Sequence, residues 1–392
     1  MRRFSANYIF TVYGEPIRNG IVGVDDNGMI IEIIDPKGEE KELAGTEFHN
    51  GVIVPGFINA HCHTELGHLK GKIKPETGLA GFVNQIRALR NDDEIVEENS
   101  IAKALEELKR EGIVAVADIC NTSQSLLPKL SSPIRFQNFI ELFGMSPEKA
   151  DDYMERAKYI STFPKLKYGD SSAITPHSVY SLSEQLWNMV KCEIKNNPII
   201  SIHFAESRQE KEFSLHKTGK LADYYRQWGL NPKNSPQGSL VEIAKNNLPS
   251  KANVLFIHNT FLDRSDAQNL KDHFPKAFFV LCPASNLFIE KALPDIPMLW
   301  KLGLSIALGT DSPASSPSLS MLSQIGIINN LFPSIPFAET LRWATLNGAK
   351  ALGLDHEIGS IELGKKPGLN LISPFDFSSM KPYPNSRNKR LL

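Results

Sequence analysis

Several histidines of this chain stand where they could bind a metal ion. His61 and His63 are two residues apart at the end of an apolar run, and side chains with this spacing on a β-strand point the same way. His177, His203 and His258 each follow a further apolar run. Imidazole is a common ligand of zinc and iron. A single histidine after a strand is more often structural, so it is the repetition of the pattern that indicates a metal site.

The apolar runs that carry these histidines are typical of parallel β-strands that alternate with helices. The first run ends at the His61/His63 pair, and the others cover Ile113 to Asp118, Ile134 to Glu141, Ser172 to Thr175, Ile199 to His203, Val254 to His258, Phe278 to Cys282 and Ser305 to Thr310. Eight such strands predict an α/β fold that closes into a (β/α)8 barrel, with an open, doubly wound sheet as the alternative. Functional residues of such barrels collect at the carboxyl ends of the strands, where the five histidines and Asp311 lie.

Two of the intervening segments have clear helix signals. Asn99 to Gly112 has an apolar stripe, and Gly112 stands where a C-terminal cap belongs. Ser181 to Lys195 opens with a Ser-x-x-Glu pattern, in which Ser181 and Glu184 would form a capping box. We therefore predict a helix over each segment.

Both ends of the chain are β-rich and lack helical periodicity. Near the N-terminus, Asp25-Asp26-Asn27-Gly28 lies between two apolar runs and predicts a hairpin in a small antiparallel sheet. The sequence after about residue 355 is again typical of β-strands. We predict that residues 1–54 and 355–392 pair into one composite β-sandwich and that residues 55–354 form the catalytic barrel.

Composition excludes several classes of protein. The 392 residues are 41% hydrophobic and 22% charged, with a formal net charge of −1, which gives no indication of nucleic-acid binding or of attraction to a membrane. The longest apolar runs are too short to span a bilayer, and the N-terminal text lacks the apolar core of a signal peptide. Four scattered cysteines are typical of reduced thiols. We expect a cytoplasmic protein.

The chain resembles the amidohydrolase superfamily, in the branch of cytosine/adenosine-type deaminases and chlorohydrolases that includes aminofutalosine and guanine deaminases. The motifs that carry the resemblance are PGFINAHCH at 55–63, TPHSVYS at 175–181, HFAE at 203–206, LCPASN at 281–286, LGTDSP at 308–313, ATLNGAKALG at 344–353 and GSIELGK at 359–365. They run through nearly the whole chain, and it is their combination that is specific.

The resemblance implies one divalent metal ion held by four side chains, those of His61, His63, His203 and Asp311. Zinc is the expected metal and iron the alternative, and such ligation leaves a position open for water. Two-metal relatives bridge their ions with a carboxylated lysine at the end of the fourth strand. Here that end has no lysine, since it reads Ile174-Thr175-Pro176-His177. This difference favours a single ion.

The resemblance also implies the reaction, which is hydrolytic deamination of an amino-substituted aromatic heterocycle that is purine- or nucleoside-like. Metal-bound hydroxide would attack the carbon that carries the amine. Glu206 would carry a proton to a ring nitrogen and then to the leaving amine, although a solvated loop carboxylate is the alternative for it. His258 would hydrogen-bond the hydroxide or the developing oxyanion, and Asp311 would accept a proton from the water as well as bind the metal.

Three further residues are candidates for substrate binding. The resemblance suggests substrate contact for His177, for which a structural hydrogen bond is the alternative. Glu65 and His68 follow the metal pair, and they would either line the mouth of the site or cap the following loop. Specificity is expected in loops such as 66–90 and 207–230.

Two other classes of function stay open at this point. A chlorohydrolase or an amide-type hydrolase could use the same scaffold, because a fold does not determine the reaction. A non-catalytic metal- or ligand-binding protein would need a closed metal site or would lack an acid–base residue. The expected partner is a small-molecule substrate, without nucleic acid or membrane, and the resemblance is compatible with a homodimer.

Overall fold

A computed structural model describes residues 1–37, 43–89, 98–123, 125–162 and 171–392. Its strands are β1 Arg2–Ile9, β2 Ile17–Arg18, β3 Ile21–Val24, β4 Ile30–Ile34, β5 Thr46–Pro55, β6 Phe57–Cys62, β7 Ile113–Cys120, β8 Arg135–Leu142, β9 Ser171–Pro176, β10 Ile199–Phe204, β11 Asn253–His258, β12 Ala277–Leu281, β13 Ile306–Leu308, β14 Leu369–Asp376 and β15 Lys381–Arg390. Its α-helices are α1 Gly78–Leu89, α2 Glu98–Arg110, α3 Leu126–Lys129, α4 Ala150–Ser161, α5 Glu184–Glu193, α6 Arg208–His216, α7 Gly219–Gln227, α8 Leu240–Asn247, α9 Arg264–His273, α10 Pro283–Glu290, α11 Ile296–Lys301, α12 Met321–Leu331, α13 Phe337–Trp343 and α14 Leu346–Ala351.

Eight strands form two parallel sheets, in the orders β6-β7-β8-β9 and β10-β11-β12-β13. The sheets adjoin at both edges. At one edge the His203 N–H donates to the carbonyl of His177, and at the other the Asp311 N–H donates to the carbonyl of His61. The bridges at these edges are also parallel, so all eight strands direct their carboxyl ends to one side. The predicted α/β class with parallel strands is confirmed.

One buried apolar cluster joins the two parallel sheets. Ile58 and Ala60 of the first sheet belong to it together with Leu255, Ile257 and Val280 of the second. These positions alternate along their strands with residues of a separate core that includes α-helical side chains. The alternation follows from the pleat, which sends successive side chains to opposite faces.

Strands from both ends of the chain form a third, seven-stranded sheet in the order β15-β14-β5-β1-β3-β4, with β2 paired to β1. The hairpin predicted around Asp25 to Gly28 is confirmed, because β3 and β4 pair antiparallel across it. The expectation of a purely antiparallel sheet is wrong, since β1 and β5 are parallel. Strand β5 ends at Pro55 and β6 begins at Phe57, so the chain passes from this sheet to the parallel sheets within two residues.

Both predicted helices are present, but one begins differently. Helix α2 ends at Arg110, and Gly112 follows with φ +70°, as a C-terminal cap requires. Helix α5 is capped by Ser183, whose side chain accepts from the Leu186 N–H, so the predicted capping box at Ser181 is wrong. The reason is that the Ser181 hydroxyl is hydrogen-bonded to His177 instead. Within the described ranges, no helix has the length and apolar character needed to cross a bilayer.

Candidate metal centre and active site

The first histidine pair lies at the carboxyl end of β6. The Nε2 atoms of His61 and His63 are 3.1 Å apart, which is close enough to share one cation. The carbonyl of His61 accepts from the Asp311 N–H at 3.0 Å, so the end of β6 is tied to the residues that follow β13. This close approach requires a glycine at Gly309, because a Cβ there would lie 2.8 Å from the Cβ of His61.

Asp311 directs one carboxylate oxygen toward this pair. Its Oδ1 is 3.5 Å from His61 Nε2 and 3.4 Å from His63 Nε2. Burial alone would raise the pKa of Asp311, but the interaction with His61 and the neighbouring histidines hold that pKa well below its usual range. Asp311 is therefore ionised at neutral pH and can act as an anionic ligand.

His203 completes the cluster from β10. Its Nδ1 donates to the carbonyl of His177 at 3.0 Å, which leaves Nε2 without a proton. Its ring centroid lies 4.9 Å from that of His61 and 5.4 Å from that of His63. Burial lowers the pKa of all three histidines, so they are neutral and offer lone pairs. The ligand atoms of His61, His63 and His203 lie within 4.8 Å of one another, and those of Asp311, His61 and His258 form a second, overlapping group with the same spacing. Neutral imidazoles together with a carboxylate suit a divalent cation.

Strained backbone turns aim the side chains of the site. Ala205, His258 and Asp311 have φ values of 48°, 73° and 59°, in the left-handed region that non-glycine residues seldom adopt. Each lies at or just past the end of one of the strands β10, β11 and β13. Such strain is concentrated at functional sites, where the surrounding structure holds it in place.

Glu206 is buried beside His258. Only 6% of Glu206 is exposed, so the alternative of a solvated loop carboxylate is wrong. Its Oε1 lies 3.6 Å from His258 Nε2. Burial raises the pKa of Glu206 well above its usual range, and the charges of Asp311 and Glu290 raise it further. Glu206 can therefore carry a proton at neutral pH, as a general acid must.

A second carboxylate, Glu210, was not predicted and supports Glu206. Glu210 Oε2 accepts from the Glu206 backbone N–H at 2.8 Å, and Glu210 has no exposed surface. Burial and the neighbouring Glu206 raise the pKa of Glu210 to about 8. The available signal was a carboxylate in the first turn of α6, the helix that begins two residues after Glu206.

Of the three predicted substrate contacts, His177 packs against the histidine cluster. Its ring centroid lies 4.7 Å from that of His203. Its Nδ1 is 2.9 Å from the Ser181 hydroxyl and 3.1 Å from the Ser178 hydroxyl. These hydroxyls orient the ring, so the structural hydrogen bond is present, and it is compatible with a substrate contact through the other nitrogen.

Glu65 and His68 have capping roles in the structure. Four donors reach the Glu65 carboxylate, namely the N–H groups of Asn121 and Thr122 and the hydroxyls of Thr122 and Ser125. His68 Nδ1 is 3.0 Å from the carbonyl of Glu65. Glu65 thereby fastens the loop after β7 to the turn that follows His61 and His63. This agrees with the alternative in which Glu65 and His68 cap the following loop.

A buried ion pair close to the His61/His63 pair was not predicted. Lys129 Nζ lies 2.5 Å from Asp118 Oδ2, and neither side chain is exposed. Asp118 also accepts from the backbone N–H and the hydroxyl of Thr64, the residue after His63. A lysine and an aspartate in separate apolar segments give no sequence signal that they will meet.

Another missed residue, Glu141, is the last residue but one of β8 and lies beside His203. Its Oε1 is 3.4 Å from His203 Nδ1, and its side chain is almost fully buried. Glu141, His177 and His203 form a group with closely spaced ligand atoms. The signal was available, because Glu141 ends the third predicted barrel strand.

The expected specificity segments carry helices. Residues 66–90 include α1, and residues 207–230 include α6 and α7, whereas the last residue of the first segment, Arg90, lies outside the described ranges. Leu79 of α1 packs with Phe213, Tyr225 and Tyr180. The first turn of α1 is held by Glu290, which accepts from the Leu79 N–H at 2.6 Å. Helices α1, α6 and α7 therefore contribute to one apolar cluster, to which Tyr180 also belongs.

Comparisons with known proteins agree with this geometry. Adenosine deaminase of Helicobacter pylori (strain ATCC 700392 / 26695) is 27% identical over 362 residues, which cover 89% of this chain and 86% of that protein. The 5-methylthioadenosine/S-adenosylhomocysteine deaminase of Thermodesulfovibrio yellowstonii is 25% identical over 391 residues, covering 94% and 84%. The crystal structure of Helicobacter pylori aminofutalosine deaminase in complex with methylthio-coformycin superimposes with a TM-score of 0.79 at 25% identity, covering 96% of this chain and 93% of that one. The profile described as "Amidohydrolase family" matches residues 52–388, which confirms the predicted resemblance: the chain belongs to the amidohydrolase family.

Proposed function

We propose that this protein is a metal-dependent hydrolase that removes ammonia from the aminopurine ring of a small nucleoside-like substrate. The observation that carries the proposal is the buried carboxyl of Glu206, which lies 3.6 Å from His258 and carries a raised pKa. Amines are poor leaving groups, and a proton delivered to them makes their departure feasible. Relatives named as deaminases of adenosine and of 5-methylthioadenosine/S-adenosylhomocysteine support the same reaction.

The arrangement of the strands supports two domains, a catalytic barrel and a satellite β-sandwich. We propose that the eight parallel strands act as one closed (β/α)8 barrel formed by residues 55–354. Hydrogen bonds at both edges between the two parallel sheets support closure. Residues 1–54 and 355–392 would then form the satellite β-sandwich, which is supported by the sheet that strands from both termini share.

One divalent cation would be held by four side chains, those of His61, His63, His203 and Asp311. Zinc is the first choice and iron the alternative, because three imidazoles and a carboxylate suit both. When bound, such a cation lowers the pKa of water and supplies a nucleophile at neutral pH. The neutral histidines and the ionised Asp311 are already in the protonation states that ligation requires.

The side chains then divide the proton transfers among themselves. Asp311, ionised, accepts a proton from the attacking water. Glu206, protonated, donates to the ring nitrogen next to the carbon that carries the amine. It then takes the proton of the added hydroxyl and passes it to the amine, which leaves as ammonia, and the proton held by Asp311 returns to Glu206. His258 hydrogen-bonds the oxygen that is being added to the ring. His177, whose ring centroid lies 4.7 Å from that of His203, would contact the substrate ring.

Ammonia release from a substrate panel tests the proposal. The purified, zinc-loaded protein is assayed with adenosine, 5-methylthioadenosine, S-adenosylhomocysteine, guanine, cytosine and a chlorinated triazine, with separate readouts for ammonia and chloride. We expect ammonia from at least one aminopurine, loss of activity on chelation and recovery with zinc or iron. Chloride release without ammonia would favour the chlorohydrolase alternative, and metal binding without any turnover would favour the non-catalytic one. Light scattering of the same preparation tests whether the protein forms a homodimer.

A further inference from the structure

Helix α10 contributes two buried polar side chains that face the site. Ser285 and Asn286 lie in its first turn, within the LCPASN motif, and 0% and 2% of their surfaces are exposed. The helix follows β12, whose carboxyl end lies between those of β11 and β13. Its first turn is therefore within reach of the residues that end both neighbouring strands.

Ser285 holds one oxygen of Asp311. The Ser285 hydroxyl donates to Asp311 Oδ2 at 2.6 Å, and the hydroxyl of Ser315 donates to the same oxygen at 2.6 Å. Asp311 Oδ1 is left facing His61 and His63. A carboxylate can turn about its terminal bond, and two donors on one oxygen remove that freedom. The two serines thus hold the carboxylate plane so that one oxygen stays directed at the histidine cluster.

Asn286 acts in the same way on His258. Its Oδ1 lies 2.8 Å from His258 Nδ1, and as an acceptor it requires the ring proton to be on that nitrogen. A neutral imidazole carries a single N–H, so His258 Nε2 keeps its lone pair. That nitrogen is the one that faces Glu206.

The helix itself is anchored at both ends. At its start, the Ala284 N–H donates to the side chain of Gln324, which is fully buried. At its end, Glu290 accepts from the Leu79 N–H of α1. A helix held in this way can impose the positions of its side chains on the neighbouring strand ends.

We propose that Ser285 and Asn286 are positioning residues: the first turn of α10 fixes the orientation of the Asp311 carboxylate toward the metal and the tautomer of His258. The proposal rests on the proposed function for the roles of Asp311 and His258. Its readouts are metal affinity and ring tautomer, which do not require turnover, so the two proposals can fail separately.

The first test measures zinc affinity by competition with a chromophoric chelator. Ser285→Ala and Ser315→Ala are expected to weaken zinc binding roughly 10–100-fold each, because outer hydrogen bonds to metal ligands have effects of this size. Ser214→Ala is the matched control, since Ser214 is a fully buried serine whose hydroxyl has no hydrogen-bond partner among the residues described. Affinities of Ser285→Ala and Ser315→Ala equal to that of the control would overturn the proposal for Asp311. Circular dichroism verifies that each variant folds. If one serine variant does not fold, the zinc affinity of the other tests the proposal.

The second test reads the tautomer of His258 from nitrogen NMR of histidine-labelled, zinc-loaded protein, with His258→Gln to assign the signals. We expect the Nδ1–H form in the unaltered protein and in Asn286→Asp, and a population of the Nε2–H form in Asn286→Leu. Turnover should fall in Asn286→Leu through kcat rather than KM. An Nε2–H ring in the unaltered protein, or a tautomer unchanged in Asn286→Leu, would show that Asn286 has no positioning role. Tautomer and affinity changes in a protein that deaminates nothing would support this inference and refute the proposed function.

Discussion

Glu206 Oε1 and His258 Nε2 are 3.6 Å apart on the carboxyl ends of two adjacent parallel strands. Their separation is set by strand register, since Phe204 of β10 pairs with His258 of β11. Backbone hydrogen bonds therefore hold the proton carrier beside the residue that would bind the attacking oxygen. Both side chains are buried, which strengthens their interaction and excludes competing water.

Glu206→Gln keeps the shape of the side chain and removes its transferable proton. We expect kcat for ammonia release to fall by about 10²–10⁴-fold, the usual contribution of general acid–base catalysis. Zinc affinity should be unchanged, because Glu206 is not among the proposed ligands. Glu212→Gln on helix α6, which follows Glu206, is the control, since Glu212 is exposed. Full activity in Glu206→Gln would show that another group carries the proton.

The pH dependence of turnover follows from the protonation of Glu206. Burial, Asp311 and Glu290 raise the pKa of Glu206, and only its protonated form can donate. The rate should therefore persist at neutral pH and fall as the pH rises through that pKa. Glu290→Gln removes a neighbouring negative charge, so it should lower the pKa of Glu206 and move the alkaline limb of the kcat profile to lower pH. A limb that does not move would mean that it reports a different group.

Lys129→Met should destabilise the fold strongly, because it leaves Asp118 buried and without its counter-ion. We expect a loss of about 3–5 kcal/mol in the free energy of unfolding, measured by urea denaturation. Lys291→Met is the matched control, since Lys291 pairs with Glu76 on the surface and such pairs contribute about 0–1 kcal/mol. Adding Asp118→Asn should restore part of the stability. Equal losses in the two lysine variants would contradict the role of burial.

Glu65→Ala separates a loop-capping role from substrate contact. The change leaves the buried donors around Glu65 without an acceptor, at about 1–3 kcal/mol for each unsatisfied group. We expect a lower free energy of unfolding and faster hydrogen exchange at Asn121 and Thr122, with little change in KM. A raised KM with unchanged stability would restore the substrate-binding interpretation.

Glu210 should make stability depend on pH. Its pKa is about 8 in the folded protein against 4.5 as the ordinary value, because it is buried and close to Glu206. The folded state therefore binds more protons than the unfolded state between these values. The contribution of protonated Glu210 to the free energy of unfolding is fully present below pH 4.5 and declines as the pH rises toward about 8. In Glu210→Gln this decline should flatten, by at most about 5 kcal/mol across the window, whereas Glu212→Gln should keep the slope seen in urea unfolding of the metal-free protein.

The strand pattern was predictable because it depends on the local amino-acid sequence. Apolar runs separated by amphipathic segments predict parallel strands and helices, and histidines that end such runs must meet at one edge. His61, His63 and His203 were predicted in this way and lie together in the structure. The parallel pairing of β1 with β5 was not predictable, because nothing in either segment specifies a partner.

The sequence by itself determined the α/β class, the family and the residues that gather at the strand ends, since these follow from residue type and spacing. Only the tertiary structure decided the hydrogen-bond partners of those residues. Ser181 could cap α5 or hold His177, and Glu65 could face the substrate or fasten a loop; the choice depended on distances between segments remote in sequence. For the same reason, the partners of Ser285 and Asn286 could not be predicted, although the motif that contains these residues was visible in the sequence. Their contacts with Asp311 and His258 exist only because the fold brings three strand ends together.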